Sequence, residues 1–166
     1  MPQETMMIRV PRCLYLCVAL AFASALFAAD PFAGKWKLDL ARTTTTPENP
    51  SAPRAKEVTL IARDQGENRE VIVDGINADG SPLKGGFTVP IKGGPGKVAD
   101  DNDSYDGITL KYLGPTVHDL IYTKGDKAVA RRHVEISQDG KIMTTTYKGA
   151  DPQGNPITRI EVWRRP

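Results

Sequence analysis

The chain has 166 residues, of which 22 are basic and 20 acidic, for a formal net charge of +2. That balance is too even to suggest a nucleic-acid partner. Both cysteines, Cys13 and Cys17, lie near the N-terminus.

The N-terminal stretch reads as a secretory signal peptide. Arg9 and Arg12 precede an apolar run from Cys13 to Phe22, and Ala23-Ser24-Ala25 fits the small-residue cleavage rule. Cleavage is expected after residue 25, with Ala28 as the alternative, so the protein is expected to be exported to the periplasm or secreted. The stretch Leu14–Ala29 is too short and too rich in alanine for a membrane anchor, so none is expected after cleavage. Cys17 is followed by Val18, Ala19 and Leu20, which continue the apolar run instead of ending it at a lipidated cysteine. With residues 1–25 go both cysteines, Arg9, Arg12 and Glu4, leaving a nearly neutral chain with no disulfide and no thiolate. The remaining residues, 26–166, suffice for one domain.

From there the pattern is short strands between turns. Trp36, Leu38 and Leu40 alternate with Lys35, Lys37 and Asp39. A Thr/Pro stretch over 43–53 is incompatible with a helix and reads as a covering loop. Strands follow at Glu57–Arg63 and Arg69–Asp74, and a weaker one at Gly86–Ile91 before the glycine-rich loop Lys92-Gly93-Gly94-Pro95-Gly96. Beyond an acidic turn over 100–107, strands are expected around Ile108–Tyr112 and at Val117–Thr123, Lys127–Ser137, Lys141–Lys148 and Pro156–Arg164. Gly125-Asp126 and Asp139-Gly140 read as hairpin turns, the second of the kind needing positive φ at both positions. About nine strands at hairpin spacing, with no crossover helices, define an all-β antiparallel up-and-down meander. The segments 73–83 and 147–157 share the pattern x-x-G-x-[ND]-x-x-G-x-P-[LI], as one hairpin loop used twice would.

Gly34-Lys35-Trp36 resembles the G-x-W opening of the lipocalin and fatty-acid-binding barrels, the calycin group. Phe32-Ala33-Gly34-Lys35-Trp36-Lys37-Leu38-Asp39 and Val73-Asp74-Gly75 through Pro82 are similar to small exported, lipocalin-like bacterial proteins of uncharacterised function. The resemblance implies that the meander closes into a lipocalin-like β-barrel of about 8–10 strands. It also implies that Trp36 plugs one end, with Arg159 of the last strand packed across it. Fatty-acid-binding proteins place two helices after the first strand. The Pro-rich stretch here favours a lipocalin-like barrel without that lid.

The candidate ligand-binding residues follow from strand parity. Arg132 shares the apolar face of its strand with Ala128, Ala130, Val134 and Ile136, where it could hold a ligand carboxylate with the alanines leaving room. Tyr112, Tyr122 and Tyr147 suit a pocket wall. On the last strand, Thr158, Ile160 and Val162 read as the inner face and Arg159, Glu161 and Trp163 as the outer. His133 falls on a polar face and His118 beside a turn, a pair too scattered for a zinc set, so no metal is expected. The acidic stretch 100–107 lacks the ligand spacing of a calcium loop. Ser51, Ser81, Ser104 and Ser137 sit in or beside turns with no G-x-S-x-G elbow. The expectation is therefore a non-catalytic protein without cofactor that binds a small apolar or amphipathic ligand in its interior. The alternative is a structural or protein-interaction module with a filled barrel.

Overall fold

A computed structural model describes residues 30–48, 55–98, 104–151 and 153–166. The expected leader, the acidic residues 100–103 and part of the Pro-rich stretch lie outside them. Eleven strands run in chain order: β1 Gly34–Leu38, β2 Thr44–Thr46, β3 Ala55–Gln65, β4 Asn68–Asn77, β5 Pro82–Pro90, β6 Gly94–Val98, β7 Gly107–Gly114, β8 Val117–Lys124, β9 Lys127–Ile136, β10 Ile142–Ala150 and β11 Pro156–Arg164. Each of β3 to β10 pairs antiparallel with the next strand in the chain. The meander expected from turn spacing is therefore present, and it closes into a ten-stranded barrel.

Closure falls on β1, which is short and lies between two strands. Gly34–Lys37 pair with Ala62–Thr59 of β3, while Lys37 and Leu38 pair with Arg164 and Trp163 of β11. The chain then makes a single 3₁₀ turn, Leu40–Arg42, and rejoins β11 as β2, where Thr44 to Thr46 face Ile160 to Thr158. The Pro-rich stretch thus begins as an extra strand on β11, as the three threonines at 44–46 favour. The glycine-rich segment also becomes a strand, β6. Gly94–Gly96 pair with β7, and Lys97 and Val98 with β5. A Cβ on Gly96 would overlap the Thr88 carbonyl, so glycine lets these backbones approach.

The hairpins follow local chemistry. Gly125 turns at φ +56° as expected, but at Asp139-Gly140 only Gly140 has positive φ. That turn is longer. The Ser137 hydroxyl bonds Asp139 at 2.6 Å and accepts from the Ile142 amide at 3.0 Å, an Asx-type arrangement that needs no second positive φ. The two repeated segments form equivalent loops. Asn77 N–H donates to the Ser81 carbonyl and Asp151 N–H to the Asn155 carbonyl, both at 2.9 Å, with Gly80 and Gly154 at φ +90° and +86°.

The barrel has two unlike ends. The end carrying the β3–β4, β5–β6, β7–β8 and β9–β10 turns is packed shut. Trp36 is 0% exposed there, with Val89, Leu110, Ile136, Met143 and Trp163 in the same core. The chain preceding β1 closes it. The Trp36 indole N–H donates to the Phe32 carbonyl at 3.0 Å, and the Phe32 ring stacks on His118 at 3.9 Å. Asp30 and Asp64 both bond Arg69 at 2.7 Å.

The cation across Trp36 is Arg165, 4.3 Å from the ring centroid, not Arg159. Arg159 lies four residues along β11 from the nearest β1 pairing, that of Leu38 with Trp163, and sits opposite Tyr147 and Thr45, too far to reach Trp36. Arg165 is fixed by the Gly140 and Pro31 carbonyls, each at 2.7 Å. Its guanidinium passes over Gly34, where a Cβ would overlap it and where φ is +123°. The glycine of G-x-W is thus the gap through which the arginine reaches the tryptophan. Arg165→Ala is expected to lower the unfolding free energy by about 1–3 kcal/mol, Gly34→Ala by a similar amount, and Arg159→Ala by under about 0.5 kcal/mol. Urea denaturation of the three variants checks this. An Arg159 effect larger than that of Arg165 would refute the assignment.

Candidate functional site

The opposite end carries the loops after β4, β8 and β10 and is less filled. Beside it lies a half-open cavity of about 400 Å³ whose wall includes Tyr105, Ala130, Tyr147 and Asp151. Three tyrosines gather there. Tyr105 and Tyr122 are 4.7 Å apart between ring centroids, and Tyr122 and Tyr147 are 6.4 Å apart. Burial pushes the Tyr122 and Tyr147 phenols above their ordinary range, with Arg132 opposing in both cases. Gly149 gives the Tyr147 ring its place, because a Cβ there would overlap the phenol.

Below Tyr147 the interior is charged. Arg132 pairs in register with Leu120 on β8 and with Tyr147 on β10, and its guanidinium lies 5.6 Å over the Tyr147 ring. Its Nη1 is 3.2 Å from Glu161. The Thr145 hydroxyl donates to the same Glu161 oxygen at 2.9 Å, and Arg159 stands 4.0 Å from the other oxygen. The Glu161 side chain is only 8% exposed and that of Arg132 24%. Burial works most strongly against the Arg132 charge, but Glu161 and the phenols of Tyr122, Tyr105 and Tyr147 together outweigh it and hold the guanidinium protonated. Arg132 Nε is buried with no hydrogen-bond partner among the described residues. Among the described residues, the open half therefore sets Arg132 and the partly exposed Arg159 beside one carboxylate, Glu161, with one buried donor, Arg132 Nε, still to be met.

This arrangement corrects the reading of β11. Its inner face is Ile157, Arg159, Glu161 and Trp163, while Ile160 is exposed. β-Branching misled because both faces of β11 are partly covered: the 3₁₀ turn packs on this strand and Val162 is buried beside it. Trp163 was the available signal, since so large an apolar side chain marks the inner face and carries Glu161 with it.

Other expected residues divide between the two ends. Ala130, Tyr122, Tyr147 and Arg132 come together at the open end. Val134 is buried one step deeper, opposite His118 and Thr145. A bulge between Tyr122 and Thr123 leaves Val129 unpaired, so Ala128 is exposed and only Ala130 makes room beside Arg132. Tyr112 is at the wrong end for a cavity wall. It is 48% exposed at the closed rim, its ring 5.4 Å from that of His118.

His118 is interior, whereas His133 faces out and bonds Asp119 at 2.8 Å and Glu135 at 3.2 Å. The two histidines therefore cannot share a metal. Arg131 also pairs with the buried Asp119. Among the described residues, no group of three or more His, Cys, Asp or Glu could hold a metal ion.

No protein-family model matches the chain, and no curated protein matches it. Among solved structures it is similar to apocrustacyanin C1, at 15% identity and a TM-score of 0.44, over 82% of this chain and 62% of that one. It is similar to lobster apocrustacyanin A1 at 14% identity and 0.44, over 84% and 63%. A third likeness, to EF1p2_mFAP2b bound to DFHBI, has 14% identity and a TM-score of 0.40, over 84% and 97%. The chain thus spans less than two thirds of the length of the two apocrustacyanins.

The interior pairing has a thermodynamic signature. Glu161→Gln leaves two guanidiniums without their carboxylate and is expected to cost about 3 kcal/mol. Adding Arg132→Met to Glu161→Leu should cost clearly less than the two single losses summed, because the pair is removed together. Urea denaturation of the cycle decides: additive losses would show that the two groups are not coupled.

Proposed function

We propose that this protein is an exported, non-catalytic carrier of a small amphipathic acid. The apolar body of the ligand lies in the open-end cavity and its acid group reaches the Arg132–Arg159 pair. The observation that carries this reading is the buried Arg132 Nε, unpartnered among the described residues, one step below a cavity of about 400 Å³. The tyrosines offer apolar ring faces to the ligand body. One acid group would balance the second interior guanidinium and accept from Arg132 Nε, a charge-assisted bond stronger than a neutral one. Binding is favoured over catalysis because Glu161 is already engaged by Thr145 and Arg132 and so is not poised as a base. The leader expected over residues 1–25 accounts for export, to the periplasm or beyond.

Titration with a fluorescent fatty acid and with the matching fatty alcohol tests the reading. The acid should bind saturably at one site. Arg132→Met should weaken the acid by about tenfold or more and the alcohol by much less. Absence of saturable binding would favour the filled-barrel interaction module, and equal loss for acid and alcohol would remove Arg132 from recognition.

A further inference from the structure

The closed end is stopped by a piece of chain that belongs to no strand. Asp30, Pro31 and Phe32 cross it, and Phe32 is buried between two groups of the barrel. One face stacks on His118 at 3.9 Å with 14° between the planes, and the Arg69 guanidinium lies 5.5 Å from the ring centroid. Asp30 closes the arrangement onto Arg69, and Trp36 and Arg165 each hold a carbonyl of the segment, those of Phe32 and Pro31. His118 is 4% exposed, and its Nε2 is buried with no partner among the described residues.

We infer that Asp30–Phe32 is an acid-released plug, seated while His118 is neutral and expelled when that ring takes up a proton, which opens the barrel at the end opposite the cavity.

The groups facing His118 support this. From β4 comes Arg69, a like charge to an imidazolium. From β7 comes Tyr112, 5.4 Å away, and from β9 the apolar Val134. From the plug itself comes Asp30, the one facing carboxylate that favours protonation, and it is already bonded to Arg69. Asp64 is likewise committed to Arg69. Asp119, next in the chain, points outward to Arg131 and His133. An imidazolium would thus be formed in a buried place, beside an arginine, with no acceptor for its Nε2 among the described residues. Burial first, and Arg69 second, lower the His118 pKa to about 4, against a weaker pull from Asp30. The folded value lies below the ordinary value of 6.5, so the neutral ring favours the seated state above that value. This contribution is lost as the pH falls from there through about 4. The plug is the weakest neighbour, because it is held by side chains and two carbonyl contacts while the strands around it are laddered.

Nuclear magnetic resonance of the purified protein between pH 7 and 4 tests the inference. The imidazole signals of His118 give its titration. Exchange of the Trp36 indole N–H, bonded to the Phe32 carbonyl, reports the plug. Indole exchange, corrected for its intrinsic pH dependence, should rise on the order of tenfold or more in step with His118 protonation while far-UV circular dichroism stays unchanged. In His118→Phe, which keeps a stacking ring without a titrating group, the rise should vanish; His118→Gln serves if that variant does not fold. An indole that stays protected through the His118 titration would overturn the inference. So would an equal rise in both variants, or a rise that coincides with global loss of circular dichroism.

Discussion

A carboxylate inside a β-barrel must be paired, and the pairing of Glu161 organises the open half of this protein. The side chain sits on the inner face of β11 and takes its partners from the two preceding strands, Thr145 on β10 and Arg132 on β9. A shift of one residue in either register would turn those partners outward and leave the charge buried alone, at a cost of several kcal/mol. The same pairing leaves the open half with a second guanidinium, Arg159, and an unmet donor on Arg132. The polar character of this part of the interior is therefore a consequence of one buried charge and the partners it draws inward.

Three arginines reach aromatic rings at the ends of the barrel. Arg165 lies over Trp36, Arg69 over Phe32 and Arg132 over Tyr147. At the closed end the guanidiniums are consumed by the chain itself: Arg165 by two backbone carbonyls, Arg69 by two carboxylates. At the open end Arg132 shares one carboxylate with Arg159. This difference in saturation, more than any difference in ring chemistry, separates the structural end from the end proposed to receive a ligand.

Much of this architecture was legible in the residues. Turn glycines at 66, 80, 125, 140 and 154 mark hairpins in a chain whose strands alternate cleanly, and Gly34-Lys35-Trp36 marks the strand that closes the barrel. Arg132 read correctly as an inward cation because its neighbours Val134 and Ile136 fix the face. β11 read inside-out because β-branched and aromatic residues compete for its interior, and there the volume of Trp163 outweighed branching. The packing of Arg165 and of Phe32, the first residue of the opening motif, is not legible in the sequence because each lies outside a strand, where periodicity carries no information. The roles of His118 and Arg69 depend on Phe32 and were hidden with it.

Acid binding at Arg132 is tested most directly by a crystal structure of the protein grown with a medium-chain monocarboxylic acid. An acid oxygen is expected within hydrogen-bond distance of Arg132 Nε, about 2.7–3.2 Å, with an alkyl chain leading out past Tyr147 and Tyr105. An acid bound elsewhere, with Arg132 and Glu161 undisturbed and the interior closed above them, would contradict it.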